Sequence, residues 1–250
     1  LLNMAENKLE IIPLGGVGVF GMNMMAMRCG GEAIIIDAGM GFPEEDAPGL
    51  DIVIPGFNFI DQYPDEISAI VLTHGHEDHI GAVPFLLKEV DVPVYGTHLT
   101  LALLENKLQE HGLSDSAALH AIEPRDRVAL GNFEVEWIHV THSLTSCTAL
   151  AVTTPVGVVI HSGDFKIDET PVVGPATDVK RLTEYGDRGV LALLADSTNA
   201  ERPGRTQSER AVTPALEKVF EEAQGRIVLS CFTSSVHRLQ IVFDLAQEHG

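Results

Sequence analysis

The chain has 250 residues, of which 45% are hydrophobic, and its formal net charge is −20. This length suits one large domain or one and a half ordinary ones. With 36 acidic and 16 basic residues, the composition argues against non-specific nucleic-acid binding, because proteins that hold nucleic acid by its phosphates carry a surplus of Lys and Arg. It does not exclude a nuclease whose bound metal ions supply local positive charge.

The cysteines and the apolar runs argue against further classes of protein. The 3 cysteines are widely spaced and form no CxxC pair, so neither a disulfide framework nor a thiolate zinc site is supported. We expect reduced thiols and a cytoplasmic location. No apolar run approaches the length of about 18 residues that spans a bilayer, and the N-terminus has no signal-peptide pattern, so we expect no membrane partner.

Apolar runs with strand character recur along the chain, and most of them end at polar residues. In chain order they lie at 9–14, 33–36, 69–72, 92–95, 133–140, 156–160, 190–195 and 226–230. Helical patterns lie at 97–109, 213–223 and 235–248. Strands that alternate with helices, several of them nearly all apolar, predict a layered α/β fold. The alternating run at 133–140 predicts that part of the sheet is antiparallel, and Pro93 predicts an edge strand at 92–95.

The domain boundary is predicted from a break in composition. Residues 200–205 form a polar segment that contains Pro and Gly, and a helix, a strand and a helix are predicted after it. A unit of that size can hardly bury its own sheet. We therefore predict one domain over residues 1–205 and the start of a second α/β domain over residues 206–250.

The most informative segment is Thr73–Gly81, which follows an apolar strand and contains His74, His76, Asp78 and His79. Imidazole nitrogen and carboxylate oxygen are normal donors to Zn²⁺ or Mn²⁺. Four donors so close together cannot comfortably bind one ion and leave a position open. Two adjacent metals are the easier geometry, and such sites typically serve hydrolysis. The alternative interpretation is a polar surface loop that is rich in His.

Other polar side chains follow apolar strands further along the chain. Ligands bind at that edge of α/β sheets, so we expect Asp37, His142, Asp164 and Asp196 to line one cleft with the His-rich loop. Asp164 is the natural bridge, because a carboxylate can join two cations and a neutral imidazole cannot. We expect Asp37 to anchor loops, and His161 either to support a ligand or to pack at its strand end. The structural alternatives are a satisfied polar residue for His142 and turn residues for Asp164 and Asp196.

Several segments together carry a resemblance to a known family. They are residues 14–24, 73–84, 161–168, 195–204 and 236–240. These segments resemble the ribonuclease J family, which belongs to the β-CASP branch of the metallo-β-lactamase superfamily. The resemblance covers essentially the whole chain. It implies an α/β fold in which an αββα metallo-β-lactamase sandwich is followed by the start of a β-CASP α/β domain.

The resemblance also implies a site with two divalent metal ions, Zn²⁺ or Mn²⁺. Matching positions assign the ligands: His74, His76 and His142 for one ion, Asp78 and His79 for the other, and Asp164 as the bridge. The catalytic candidates are Asp78, which could also orient water, Asp164, and Asp196, which matches an acidic residue that orders the site at the domain junction. His161 and Asp37 would support the ligands.

Family members process RNA as endonucleases and as 5′-to-3′ exonucleases, so the resemblance implies a metal-dependent ribonuclease that acts on single-stranded RNA. The expected nucleophile is a hydroxide held between two metals, its pKa lowered by the cations. Two alternatives stay open. One is a small-molecule metallohydrolase acting on a thioester, lactone or lactam, which the acidic charge favours. The other is a non-catalytic RNA-binding or assembly subunit. The resemblance also admits a homo-oligomer of the full-length protein.

Two departures from the family pattern affect these expectations. Family members often carry a Pro-Asp pair shortly after the His at position 142, whereas Ser143–Cys147 contains none, so we expect a reshaped loop that keeps the ligand. The family's second metal takes a final His from a segment beyond residue 250, and the 5′-phosphate pocket lies there too. We therefore expect weak or no nuclease activity from these 250 residues alone.

Overall fold

The computed structural model describes residues 8–43 and 47–250. Within these residues, the first of two sheets contains six strands. They are β1 (Leu9–Gly15), β2 (Met24–Cys29), β3 (Glu32–Ile36), β4 (Ile67–Val71), β5 (Val94–Thr97) and β6 (Leu119–Ile122), and they are neighbours in that order. The pairs β1/β2 and β2/β3 are antiparallel, whereas β3 to β6 run parallel.

The second sheet contains five strands in the described part of the chain. They are β7 (Arg127–Leu130), β8 (Phe133–Val140), β9 (Cys147–Thr154), β10 (Gly157–His161) and β11 (Ala192–Leu194). Their spatial order is β11-β10-β9-β8-β7. All neighbouring pairs are antiparallel except β10/β11, which is parallel. The prediction that 133–140 belongs to an antiparallel part is therefore confirmed.

Helices cover the outer faces and form the C-terminal segment. They are α1 (Asn58–Gln62), α2 (Glu77–Ile80), α3 (Val83–Leu86), α4 (His98–Glu110), α5 (Val179–Arg188), α6 (Thr213–Glu222) and α7 (Val236–His249), with short 3₁₀ turns at Pro64–Glu66 and Glu209–Val212. The three predicted helices are confirmed as α4, α6 and α7. The sequence pattern does not predict α5, because its buried residues are Arg181 and Tyr185 rather than aliphatic ones. No helix of the described residues is long and apolar enough to cross a membrane.

Side chains of β3 point alternately to the two faces of the first sheet, and this divides the core into layers. Ile34 and Ile36 belong to a buried cluster with Trp137 that lies between the two sheets. Ile35 points to the opposite face and joins a cluster with residues of α1, α3 and α4. A third cluster joins β8, β9 and β10 to Tyr185 of α5. The layers therefore run helix, sheet, sheet, helix, and the predicted αββα sandwich is confirmed.

Two local predictions are wrong. β5 is not an edge strand, since it lies between β4 and β6. Pro93 stands just before β5 and uses only its carbonyl, which accepts a hydrogen bond from the Ile70 N–H at 2.9 Å, so its missing N–H costs the sheet nothing. The run at 226–230 forms no strand. It pairs with no strand of the described residues, and Val228 is 88% exposed.

Candidate metal centre

The backbone at the ends of β3 and β4 brings the candidate ligands together. These strands are parallel neighbours, so their carboxyl ends lie at the same edge of the sheet. Asp37 follows β3 and has a φ of 56°, and its N–H donates to the Val71 carbonyl at 3.0 Å. Thr73 and His74 follow β4. Side chains from two strands therefore meet at one point.

The loop after β3 lies directly against the short helix α2. The Ala38 N–H donates to the His79 carbonyl at 2.8 Å, and the Asn23 N–H donates to the Asp78 carbonyl at 2.9 Å. A Cβ at Gly39 would lie 1.6 Å from the Asp78 carbonyl oxygen. Because no side chain fits in that space, glycine at this position is what permits the close approach.

Four of the predicted ligands form a first cluster. One side-chain donor atom from each of His74, His76, His142 and Asp164 lies within 4.8 Å of the others. His74 Nε2 is 3.1 Å from His76 Nδ1, and His142 Nε2 is 3.7 Å from Asp164 Oδ2. His74 is buried, with 1% of its surface exposed. Three imidazoles and one carboxylate therefore converge on a common point.

A second cluster shares Asp164 with the first. Donor atoms of Asp78, His79 and Asp164 also lie within 4.8 Å of one another. His79 Nε2 is 3.3 Å from Asp164 Oδ1 and 3.8 Å from Asp78 Oδ2. The Asn23 amide donates to Asp78 Oδ2 at 3.3 Å and lies 3.1 Å from His79 Nε2. Asp164 thus contributes to both clusters.

Asp37 orients His79 by binding Nδ1, the ring nitrogen that faces away from the second cluster. Asp37 Oδ2 accepts a hydrogen bond from His79 Nδ1 at 2.8 Å, and the Thr73 hydroxyl donates to the same oxygen at 2.7 Å. The Thr73 N–H donates to the other oxygen at 2.8 Å. A His ligand whose second nitrogen is bound to a carboxylate has a fixed ring and tautomer. Asp37 therefore leaves His79 Nε2 as the nitrogen that faces Asp78 and Asp164.

The protonation states in the first cluster suit a cation. Burial lowers the pKa of His74 well below its usual value and lowers that of His142 to about 4, and it also lowers the pKa of His76. Burial raises the pKa of Asp164, but its hydrogen bond and charge interaction with His79 outweigh this and lower it. Neutral imidazoles and an ionised carboxylate are the forms that bind metal.

His79 is the exception. Burial disfavours its charged form, but the carboxylates of Asp37 and Asp164 outweigh burial and raise its pKa to about 10. Without a cation, the proton on His79 balances the negative charge around it. A divalent ion would supply that balance and displace the proton from Nε2. The donor set therefore fits divalent cations in both clusters.

Asp196 and His161 act on the loop that carries Asp164. Asp196 Oδ2 accepts from the Phe165 N–H at 3.5 Å, and Oδ1 accepts from the Thr198 N–H at 2.8 Å. His161 Nδ1 accepts from the Gly163 N–H at 3.1 Å. Asp196 thus forms a turn and also binds backbone next to Asp164, and its role in ordering the site stays a prediction. His161 supports the same loop through backbone rather than through a ligand side chain.

One cleft of about 1290 Å³ is lined by the loop after β1 and by most of the strand-end residues predicted to meet: Gly15–Gly21, Asp37, Asp78, His79, His142, His161, Asp164 and Asp196. His74 and His76, which were expected in the same lining, do not line it, although they belong to the first donor cluster. Two contributors were missed at the sequence level, Asn23 and Thr73. Both lie in the segments that carry the family resemblance, but a neutral amide and a hydroxyl have no metal-ligand signature of their own.

The fold and the clustered donors define the class of protein. The family model of the metallo-beta-lactamase superfamily matches residues 17–213, and the chain belongs to this superfamily. Ribonuclease J of Helicobacter pylori is 49% identical over 236 residues, which cover 94% of this chain and 34% of the relative. Ribonuclease J of Synechocystis is 46% identical, over 99% of this chain and 39% of the relative. That of Thermus thermophilus is 43% identical, over 98% and 44%.

The predicted resemblance to ribonuclease J is therefore confirmed, and the chain spans less than half the length of these relatives. Among solved structures, a protein of unknown function from Enterococcus faecalis matches with a TM-score of 0.68 and 16% identity. The match covers 95% of this chain and 63% of that one. At this identity it shows a shared fold alone.

Proposed function

We propose that this chain supplies most of the metal centre of a ribonuclease that hydrolyses phosphodiester bonds in single-stranded RNA. The observation that carries the proposal is Asp164, whose carboxylate belongs to both donor clusters. The substrate class is drawn from the names of the ribonuclease J relatives. Because the chain spans only part of them, their activity is extended to it as a proposal.

The proposal assigns two divalent cations to the donor clusters. His74, His76 and His142 would hold one ion, Asp78 and His79 the other, and Asp164 would be shared. Nitrogen and oxygen donors without thiolate suit Zn²⁺ or Mn²⁺. When bound, the two ions would lower the pKa of the attacking water and neutralise charge on the phosphoryl oxygens.

The chain's own residues hold this arrangement and orient the reacting groups. Asp37 fixes the ring of His79, Asn23 binds Asp78, and Asp196 binds the backbone beside Asp164. The Asp78 side chain is 39% exposed, so it can also accept a hydrogen bond from the attacking water. Rigid support of this kind keeps the reacting groups close to their productive geometry.

The proposal includes two modes of RNA cleavage, stepwise cleavage from a 5′ end and internal cleavage. It also includes a cytoplasmic location. The location is supported by Cys29 and Cys147, which are buried free thiols in the structure. A 5′-labelled RNA and a circular RNA separate the two modes, because a circle has no end and only internal cleavage opens it.

The full-length protein, loaded with Mn²⁺ or Zn²⁺, is tested on 5′-monophosphorylated single-stranded RNA, on a lactam and on a thioester. We expect RNA cleavage. Loss of a residue that merely supports a ligand costs about 10–100-fold, so Asp164→Asn is expected to reduce cleavage more than about 100-fold. Bound metal, measured by elemental analysis, should fall with it.

Asp115→Asn is the matched control, because Asp115 is exposed and does not line the cleft. It should keep both activity and metal content. Hydrolysis of the lactam or the thioester without cleavage of RNA would replace the ribonuclease by a small-molecule hydrolase. RNA binding without any hydrolysis would instead favour a binding subunit. Full metal content in Asp164→Asn would contradict the shared-ligand assignment.

A further inference from the structure

We propose that Phe20 stacks on a base of the RNA beside the metal centre, an inference that rests on the proposed function. Phe20 is 89% exposed and lines the same cleft as Asp78, His79 and Asp164. The ring is almost fully exposed among the described residues. Packing within these residues therefore does not account for it, and a ligand in the cleft would.

The backbone places Phe20 next to the metal centre. Gly18 and Gly21, on either side of it, have φ values of 83° and 80°, a conformation that glycine adopts without strain. A Cβ built at Gly21 would lie 3.8 Å from Asp78 Cβ. The Met22 N–H donates to the Met40 carbonyl at 3.2 Å. The loop is thus anchored two residues after Phe20, against the loop that packs on α2.

Phe20 is part of an apolar rim. Val17 and Val19 in the same loop are 68% and 57% exposed, and Ile167, which also lines the cleft, is 50% exposed. Exposed apolar side chains that are grouped at a cleft often mark a binding site, whereas single exposed apolar side chains are common on any protein surface. Phe20 is the aromatic member of this exposed rim. Phe165 also lines the cleft, but it packs against the core cluster of β8, β9 and β10, so Phe20 is the better placed of the two rings to stack on a base.

The charge of the cleft favours contact with bases over contact with phosphates. Of the described residues that line it, Lys166 and Arg205 are the basic ones. Each is ion-paired, Lys166 with Glu209 and Arg205 with Glu169. Because the chain has a net charge of −20 and both basic side chains are paired, little positive charge is left in the cleft to bind the phosphates that lie outside the metal centre. Every base has a π face, so an aromatic ring can hold single-stranded RNA of any sequence.

The test compares Phe20→Leu and Phe20→Tyr in the full-length, Mn²⁺-loaded protein. Phe20→Leu keeps apolar surface but removes the π face, whereas Phe20→Tyr keeps both. On short single-stranded RNA we expect Phe20→Leu to raise KM about tenfold and Phe20→Tyr to stay near wild type. With RNAs that carry one abasic nucleotide, scanned across the positions near the scissile bond, the difference between wild type and Phe20→Leu should vanish at the stacked position.

Val17→Ala is the control in the same loop, because it shortens an exposed aliphatic side chain and leaves Phe20 in place. It should change KM by less than Phe20→Leu does. Metal content should match wild type in all variants. If wild type cleaves RNA and Phe20→Leu has an unchanged KM, the stacking proposal is wrong and the ribonuclease stands. A tenfold rise in KM of Phe20→Leu that persists with the abasic nucleotide at every position also overturns the stacking proposal. If wild type cleaves no RNA, the proposed function fails and this inference falls with it.

Discussion

Asp37 illustrates how a single buried side chain controls the chemistry of its neighbours. It is 1% exposed, and its two oxygens accept three hydrogen bonds from Thr73 and His79. Together with Asp164 it keeps the pKa of His79 at about 10. Its backbone lies in the left-handed region, with a φ of 56°, which Asn tolerates better than most residues do.

Asp37→Asn is therefore a change of charge with little change of backbone. We expect it to weaken metal binding about 10–100-fold, because His79 loses its carboxylate partner and with it a fixed orientation. Metal titration followed by calorimetry or competition with a chelator measures the effect. Asp61→Asn, at an exposed position, is the control. Unchanged metal affinity in Asp37→Asn would show that His79 needs no orienting carboxylate.

Among elements, the contact between β8 and α5 depends on a buried charge pair. Glu136 on β8 is 2% exposed and accepts hydrogen bonds from the Arg181 guanidinium and, at 2.6 Å, from the Tyr185 hydroxyl. Arg127 donates to the same carboxylate at 2.8 Å. Removing one partner of such a pair leaves the other charge buried and uncompensated. The pair therefore ties the outer helix to the sheet.

This pair predicts how stability depends on pH. Burial raises the pKa of Glu136, but Arg181 and Tyr185 outweigh burial and lower it. A lowered pKa in the folded state stabilises the fold above the unfolded pKa of about 4.3, and this contribution is lost as pH falls through the folded pKa. Urea unfolding should show Glu136→Gln less stable by about 3 kcal/mol at pH 7, with a shallower loss of stability below pH 5.

Glu134→Gln provides the matched control on the same strand. Its side chain is 46% exposed, so we expect its free energy of unfolding to stay within about 0.5 kcal/mol of wild type at every pH. An equally steep acid loss in Glu136→Gln and in wild type would mean that other carboxylates determine the acid sensitivity.

At the scale of the whole molecule, Glu209 joins the C-terminal segment to the sandwich. Its carboxylate accepts from Lys166 at 3.1 Å and from Arg238 of α7 at 2.8 Å, and its N–H donates to Asp168 at 3.1 Å. Lys166 lies two positions after Asp164. This junction therefore connects α7 to the loop that carries the shared carboxylate.

We predict that Glu209→Ala releases α6 and α7 while leaving the sandwich intact. Amide hydrogen exchange in α7 should rise about tenfold, and exchange in β3 and β4 should stay unchanged. Lys218→Ala is the control, because it removes an ion pair with Glu222 whose side chains are 69% and 68% exposed, and such pairs contribute little. Equal acceleration in β3 and β4 would contradict the predicted boundary between residues 205 and 206, since the segment would then unfold with the sandwich.

Local chemistry in the sequence was enough to predict which His and Asp side chains lie together, the strand ends that carry them and the layered α/β class, because side-chain type and periodicity are properties of short segments. The helix α5 was not predicted because its fully buried residues are Arg181 and Tyr185, and the central position of β5 was not predicted because strand pairing depends on distant segments. The tertiary structure decided which atoms meet. His79 reaches Asp37 and Asn23 reaches Asp78 through strand pairing and the close approach at Gly39, which no local pattern encodes.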